Sequence, residues 1–383
     1  MTTHLHIVLW NANGLARHAD ELNTYLRFRD VDIMLISETH FTSKSYIRIP
    51  NYTVYDTQHP DGTAPGGTAI IIKSTIKHHL HGHYNQEYLQ ATSVVIDDWT
   101  APLTIAAVYC PPKHVVKADQ FLIFYATLGP RFLAGDDYNA KHGHWGSRLI
   151  TPKGRELLKA IQTDNLTHIS TGEPIYWPTD RRKISDLLDF AVARRVPPHT
   201  FTAESSSDLS SDHSPVFVTL HTRFVPTLRA ATLSTKQTNW STFRVLLQST
   251  LTLHVLLKTP QDIEDYVHHL VETIQQAAWN STPTPLTPTC TQTCSHPIKQ
   301  KLMEKKRHRK KWQNTRSPQD KAAFNKAVKE LKHLLYEGRQ QSIQTYLMNL
   351  SATDSTAYSL WKATRRLKQP PLPKDYRWRM GKE

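Results

Sequence analysis

The stretch LAGDDYNAKHGHWGS, Leu133–Ser147, decides how this chain is read. A short apolar run reaches a glycine, then releases two aspartates, an asparagine, a lysine and two histidines around a tryptophan. Strands of an α/β sheet present functional side chains where they end, so acceptors crowded behind a hydrophobic run mark a strand terminus. The pattern recurs. HIVLW (6–10) runs into Asn11 and Asn13, VDIMLIS (31–37) into Glu38, and LTIAAV (103–108) into Tyr109. LLDFAV (187–192) carries Asp189, and SSDHSPVFVTL (210–220) sets Asp212 and His213 just before a strand. If these ends converge, they build one acidic pocket with a histidine in it.

The same periodicity test adds TAIIIK (68–73), TSVVID (92–97), RFLAG (131–135) and PVFVTL (215–220) as strands. Several are apolar on both faces, as strands covered on both sides are. HADELNTYLRF (18–28), ADQFLIFYATL (118–128) and KGRELLKAIQTD (153–164) have helical spacing. The expected fold class is α/β: a four-layer sandwich of mixed sheets with helices outside, followed by a mostly helical basic extension. Beyond Leu220 the strand signal fades. Residues 240–251 and 261–279 read as helices, and 281–297 as a Pro/Thr-rich linker. A basic run, IKQKLMEKKRHRKKW (298–312), precedes a helix with Phe324, Ala327, Val328, Leu331, Leu334 and Leu335 on one face, an ordinary helix–helix contact. The expected division is 1–222, 223–297 and 298–383.

Charge is unevenly shared. Residues 1–222 hold 20 Lys and Arg against 22 Asp and Glu; the remainder holds 27 against 11. A strongly basic second half suits a polyanionic partner such as nucleic acid, although a solvated tail has the same composition. Lys305, Lys306, Arg307, Arg309, Lys310 and Lys311 are dense enough to track phosphates or to serve as a nuclear address. Three cysteines are too few for a disulfide framework, which fits a reducing compartment; Cys290, Cys294 and His296 resemble half a zinc site without partners. No apolar run is long enough to span a membrane, and the first residues read as a strand rather than a leader.

An acidic pocket repels a phosphodiester unless a hard cation lies between them. Mg²⁺ prefers carboxylate and carbonyl oxygens. Glu38, an asparagine and a further aspartate suit it, and such an ion stabilises a leaving alkoxide. His213 has the chemistry of a base oriented by a second carboxylate, and Asp137 that of a group positioning water.

WNANGL, ISETH, AVYCPP, GDDYNAKH, LLDFAV and SSDHSPV, in this order, resemble the motif set of the endonuclease/exonuclease/phosphatase superfamily. PDGTAPGGTAIIIK, GDDYNAKHGHWGS and YWPTDRRKISDLLDF are similar to the apurinic-type endonuclease domain of jockey-like non-LTR retrotransposon proteins, over residues 4–222. The resemblance implies a Mg²⁺-dependent DNA nuclease, Mn²⁺ serving as a substitute, whose cut leaves a 3′-hydroxyl that primes reverse transcription. It implies Glu38 as the main metal ligand, with Asn11, Asn13 and Asp212 beside it. Tyr109 would bond the scissile phosphate, Asp137 and Asn139 would align water and phosphate, and Asp189 would hold His213 at the phosphate. Lys141 and His142 are expected on DNA, and element RNA on the basic tail. Action on DNA implies a nuclear location.

Two departures stand out. Asp136 replaces the glycine that relatives carry before the Asp-x-Asn pair, and Asn13 replaces a carboxylate. No Tyr/Phe-x-Asp-Asp signature occurs, so a truncated or decayed element copy without polymerase is the expectation. An abasic-site repair nuclease, a phosphatase and a catalytically dead DNA-binding module are the rival readings. Singly, each residue also has a plainer role: Glu38 as a turn former, Tyr109 as core, Asn11 and Asn13 as residues of left-handed turns, Asp189 as a structural carboxylate, and Asp212–His213 as a turn before Pro215.

Overall fold

The chain is described from a computed structural model, covering residues 4–63, 65–98, 101–180, 182–222, 234, 238–251, 258–282 and 295–348. In chain order the elements are β1 (Leu5–Asn11), α1 (Ala19–Phe28), β2 (Ile33–Ser37), β3 (Tyr52–Thr57), β4 (Thr68–Lys73), β5 (His78–Gln86), β6 (Leu89–Ile96) and β7 (Leu103–Tyr109). Then come α2 (Ala118–Thr127), β8 (Phe132–Asp137), α3 (Pro152–Thr163), β9 (Thr167–Ile169), β10 (Asp189–Arg194), β11 (Phe201–Ser205) and β12 (Val216–Leu220). Four helices follow: α4 (Trp240–Thr250), α5 (Pro260–Ser281), α6 (His296–Thr315) and α7 (Pro318–Met348).

Two six-stranded sheets form, ordered β11-β12-β1-β2-β4-β3 and β5-β6-β7-β8-β10-β9. Both are mixed: β1 and β2 run parallel, as do β7 and β8, while β2 and β4, and β8 and β10, run antiparallel. Alternation assigns the faces. Ile7 and Leu9 on β1 turn toward the second sheet, while Val8 and Trp10 pack with Leu22 and Leu26 of α1 on the outside. Phe121, Phe124 and Leu157, from α2 and α3, cover the other sheet, giving the expected four layers. The layers touch closely at Gly135, where an added Cβ would lie 2.2 Å from the Leu9 side chain. Only glycine fits there. Two residues on, Asn11 and Asp137 therefore meet across the gap.

Eight strands fall where the apolar runs place them; β3, β5, β9 and β11 are additional. β5, HHLHGHYNQ, is polar on both faces and lies at a sheet edge. The described residues of Met1–Pro226 and Thr293–Glu383 form one compact unit, and those of Thr227–Gln292 another. The described part of the basic segment thus clusters with the two sheets. In the smaller unit α4 pairs with α5, and Asn239 caps α4 through the Thr242 amide. In the larger, α6 and α7 form an antiparallel hairpin whose Trp312 and Phe324 rings stack 5.8 Å apart. Residues 283–294, with most of the linker and both outer cysteines, lie outside the described residues. No helix among the described residues is long and apolar enough to cross a membrane.

Candidate active site

Asp137, the last residue of β8, is the hub. It is buried and accepts three hydrogen bonds: Asn11 Nδ2 at 2.9 Å, and the Asn139 backbone N–H and Nδ2 at 2.8 Å each. Asn11 in turn takes the Asn13 amide at 2.9 Å, and Asn13 Nδ2 donates to Asp212 at 3.3 Å. Asp189, which pairs with Asp137 across the β10–β8 ladder, receives His213 Nδ1 at 2.8 Å. The ligand atoms of Asp137, Asp189 and His213 all lie within 4.8 Å of one another. Pairwise contacts link the remaining residues into the same network, Glu38 through Asn11 and His40, and Tyr109 through Glu38. Asn11, Tyr109, Asp137, Asp189 and His213 form a buried floor. Glu38, Asn13, Asn139 and Asp212 form a more accessible rim.

The backbone that leads out of the strands is unusual. Asn13, Glu38, His40 and Asn139 have φ of 44°, 49°, 54° and 47°. Left-handed turns aim each side chain back over the sheet edge, and Asn tolerates that conformation best among these residues. The loop 206–215 brings in Asp212 and His213. It is fixed by Ser211, whose hydroxyl accepts from Trp10 Nε1 at 2.8 Å and lies 2.7 Å from the Asn11 carbonyl.

Concentrated charge perturbs these groups. Burial, aided by Asp189 and Glu38, pushes the Asp137 carboxyl up to about 8. Burial would depress His213, but Asp189 outweighs it and raises the imidazole to about 10. His213 is therefore held toward its protonated form, in which both ring nitrogens are donors. Burial would raise Glu38, yet hydrogen bonds from His40 and Asn11 and the charge on His213 hold it low. Burial and the facing carboxylates of Glu38 and Asp137 push the Tyr109 phenol up, keeping it a neutral donor.

Asp136 is the misfit. Its φ is 121°, it is fully buried, and its carboxyl makes no hydrogen bond of normal geometry, Ser37 being its polar neighbour. Burial first, then Asp189, raises its pKa well above the ordinary range. A raised carboxyl contributes stability below its unfolded pKa and loses it as pH rises. Asp136→Gly is expected to stabilise the protein by about 1–2 kcal/mol, by relieving backbone strain, with a larger gain at pH 8 than at pH 4. Urea unfolding at both pH values checks this; a loss of stability at pH 8 would refute it.

The residues expected on nucleic acid separate into classes. Lys141 is tied to buried Asp186 at 2.9 Å, and His142 accepts the His144 amide at 3.0 Å. Lys306 pairs with Asp208, and Lys311 with Asp320 at 2.8 Å. Arg307, Lys310 and Lys311 are exposed. Lys305 and Arg309 are fully buried against the protein, so they do not track phosphates. The helical period turns every fourth residue of this basic run inward. Two neighbours were missed by sequence reading: His40, 3.6 Å from Glu38, and Tyr176, whose ring lies 4.8 Å from His213. Both lie in the strings ISETH and YWPTDRRKISDLLDF, so a signal was present without an assigned role.

The donor set fits a hard divalent cation. Several carboxylates crowd one small volume, and their repulsion adds to burial in raising Asp137. Glu38, with Asn11 and Asn13 alongside, offers the more accessible oxygens, while His213 Nδ1 is already engaged by Asp189.

Residues 8–213 match the Endonuclease/Exonuclease/phosphatase family, and the chain belongs to it. It is 30% identical over 372 residues to the Probable RNA-directed DNA polymerase from transposon BS of Drosophila melanogaster, covering 96% of this chain and 41% of the relative. To the RNA-directed DNA polymerase from mobile element jockey of the same species it is 31% identical, covering 97% and 41%. The chain thus spans about two fifths of the length of these curated relatives. Among solved structures, the endonuclease domain of TRAS1, a telomere-specific non-LTR retrotransposon, aligns with 56% of this chain and 98% of its own, at 20% identity and a TM-score of 0.47.

Proposed function

We propose that this chain is the nuclease part of a non-LTR retrotransposon protein, nicking DNA by Mg²⁺-dependent phosphodiester hydrolysis. The observation that carries the reading is the convergence of Glu38, Asp137, Asn139, Asp189 and His213 at strand ends of the two sheets. The names of its relatives support the element context. Glu38, with Asn11, Asn13 and Asp212 nearby, would hold the cation, which when bound supplies a Lewis acid for the phosphate and leaving oxygen. Asp137, fixed by Asn11 and Asn139, orients the attacking water. His213, held by Asp189, presents Nε2 to a phosphate oxygen, and the Tyr109 hydroxyl donates to another. The strand left with a 3′-hydroxyl would prime reverse transcription, a reading that places the protein in the nucleus. Exposed Arg307, Lys310 and Lys311 would add salt-dependent affinity for DNA, or for element RNA.

Supercoiled plasmid is expected to relax to the nicked circle with Mg²⁺, and also with Mn²⁺. It should stay closed with EDTA or with Glu38→Ala. Cutting confined to abasic duplex would instead indicate a repair nuclease, and binding without any cutting a dead module.

A further inference from the structure

The loop 206–215 carries Asp212 and His213 and satisfies only part of its own carbonyls: Ser211 Oγ donates to His213 O at 2.9 Å and Ser206 N to Pro215 O at 2.8 Å. Of its amides, Ser214 N donates to Ile175 O at 2.8 Å and His213 N, within the loop, to Ser211 Oγ at 3.2 Å. Two further carbonyls, and the His213 carbonyl a second time, are taken by α6. Lys305 Nζ donates to the Asp208 carbonyl, and Arg309 Nη1 to that of Leu209. Arg309 Nη2 reaches the His213 carbonyl at 3.0 Å and Ser214 Oγ at 3.3 Å. Gln313 Nε2 meets the same hydroxyl at 3.1 Å. Residues 305, 309 and 313 share one helix face by their spacing of four. At the end of the helix Arg316 donates to Pro178 O at 2.6 Å; beside it, Trp177 N donates to Asp212 O at 2.8 Å and Tyr176 packs on His213.

A fully buried guanidinium is costly unless its donors are used, and Arg309 directs Nη1 to the Leu209 carbonyl and Nη2 to that of the site residue His213, leaving Nε without a partner. Neither a solvated tail nor a phosphate-tracking face accounts for that. We propose that α6 is a brace for the active-site loop, with Arg309 a positioning residue acting through the His213 carbonyl. This rests on the reading of His213 as a phosphate contact. The part of the chain that looks like a nucleic-acid tail thereby completes the pocket.

The test uses the full chain, with nicking kinetics in Mg²⁺ and hydrogen exchange over 206–215. Arg309→Met is expected to lower kcat about 10- to 100-fold with KM little changed, since misplacing a group by an ångström costs on that order. Exchange over 206–215 should quicken while β1 and β2 stay protected. Arg309→Lys should recover part of both losses, whereas Arg307→Ala on the exposed face should raise KM and leave exchange alone. Wild-type kcat in Arg309→Met, a loss lying wholly in KM, or unchanged exchange would each overturn the brace. If Arg309→Met does not fold, Gln313→Ala and Arg309→Lys carry the same readouts with smaller shifts. If the unaltered chain does not nick, the functional reading fails, and exchange alone decides the brace.

Discussion

Asp189→Asn is expected to slow plasmid nicking by about 10³- to 10⁴-fold, the loss seen when the carboxylate behind a catalytic histidine becomes an amide. Asp189 is fully buried and contacts His213 Nδ1 through both oxygens, at 2.8 and 3.0 Å. An amide of the same shape keeps the space filled. It removes the charge that raises the imidazole, and it can present an N–H to Nδ1, forcing the proton onto the wrong nitrogen. Single-turnover nicking beside a thermal melt separates chemistry from folding. A loss smaller than about tenfold, in a variant that melts normally, would mean that Asp189 does not act through His213.

Lys305→Met is expected to destabilise the larger unit by about 3–5 kcal/mol, the usual cost of stripping one partner from a buried ion pair. Lys305 Nζ lies 2.5 Å from Glu21 Oε1, and neither side chain is more than 2% exposed. Burial would raise Glu21, but Lys305, His18 and Ser210 overcome it and hold the carboxyl low. A depressed carboxylate contributes stability above its unfolded pKa and loses it as pH falls. Without Lys305, burial raises the stranded Glu21, which then takes up a proton that the wild-type carboxylate does not, so the gap between variant and wild type should narrow steadily as pH falls from 8 to 4. Urea midpoints from pH 4 to pH 8 measure this. A variant within about 1 kcal/mol of wild type at pH 7 would show that the pair is not closed in solution.

These two expectations differ in how far the sequence alone supports them. Asp189 and His213 were legible because a buried strand that opens on a carboxylate, or begins after an Asp-His pair, breaks its own pattern. The strands seen most easily were those buried on both faces, such as β2 and β4. Edge strands resist such reading: β5 alternates histidines and other polar residues, and three-residue β9 is too short to show a period. The inner role of Lys305 and Arg309 was hidden by composition. Within a run of like charges, nothing marks which positions turn inward until the partner surface is known. Their spacing with Trp312 was the available clue, matched by Phe324, Ala327, Leu331 and Leu335 on the facing helix. Asp136 was noticed as out of place, and its positive φ shows why glycine suits that position.

The left-handed turns at Asn13, Glu38 and Asn139 also narrow the paths open to mutation. At Asn139 one residue must both take up the mirror-side backbone and lend two N–H groups to Asp137. Aspartate would keep the turn and forfeit the amide; glutamine would keep an amide and fit the turn poorly. Loss of function at these corners is thus a single codon away, while return requires one particular residue. The hinges of the pocket therefore accept fewer residue types than turns whose side chains make no such contact.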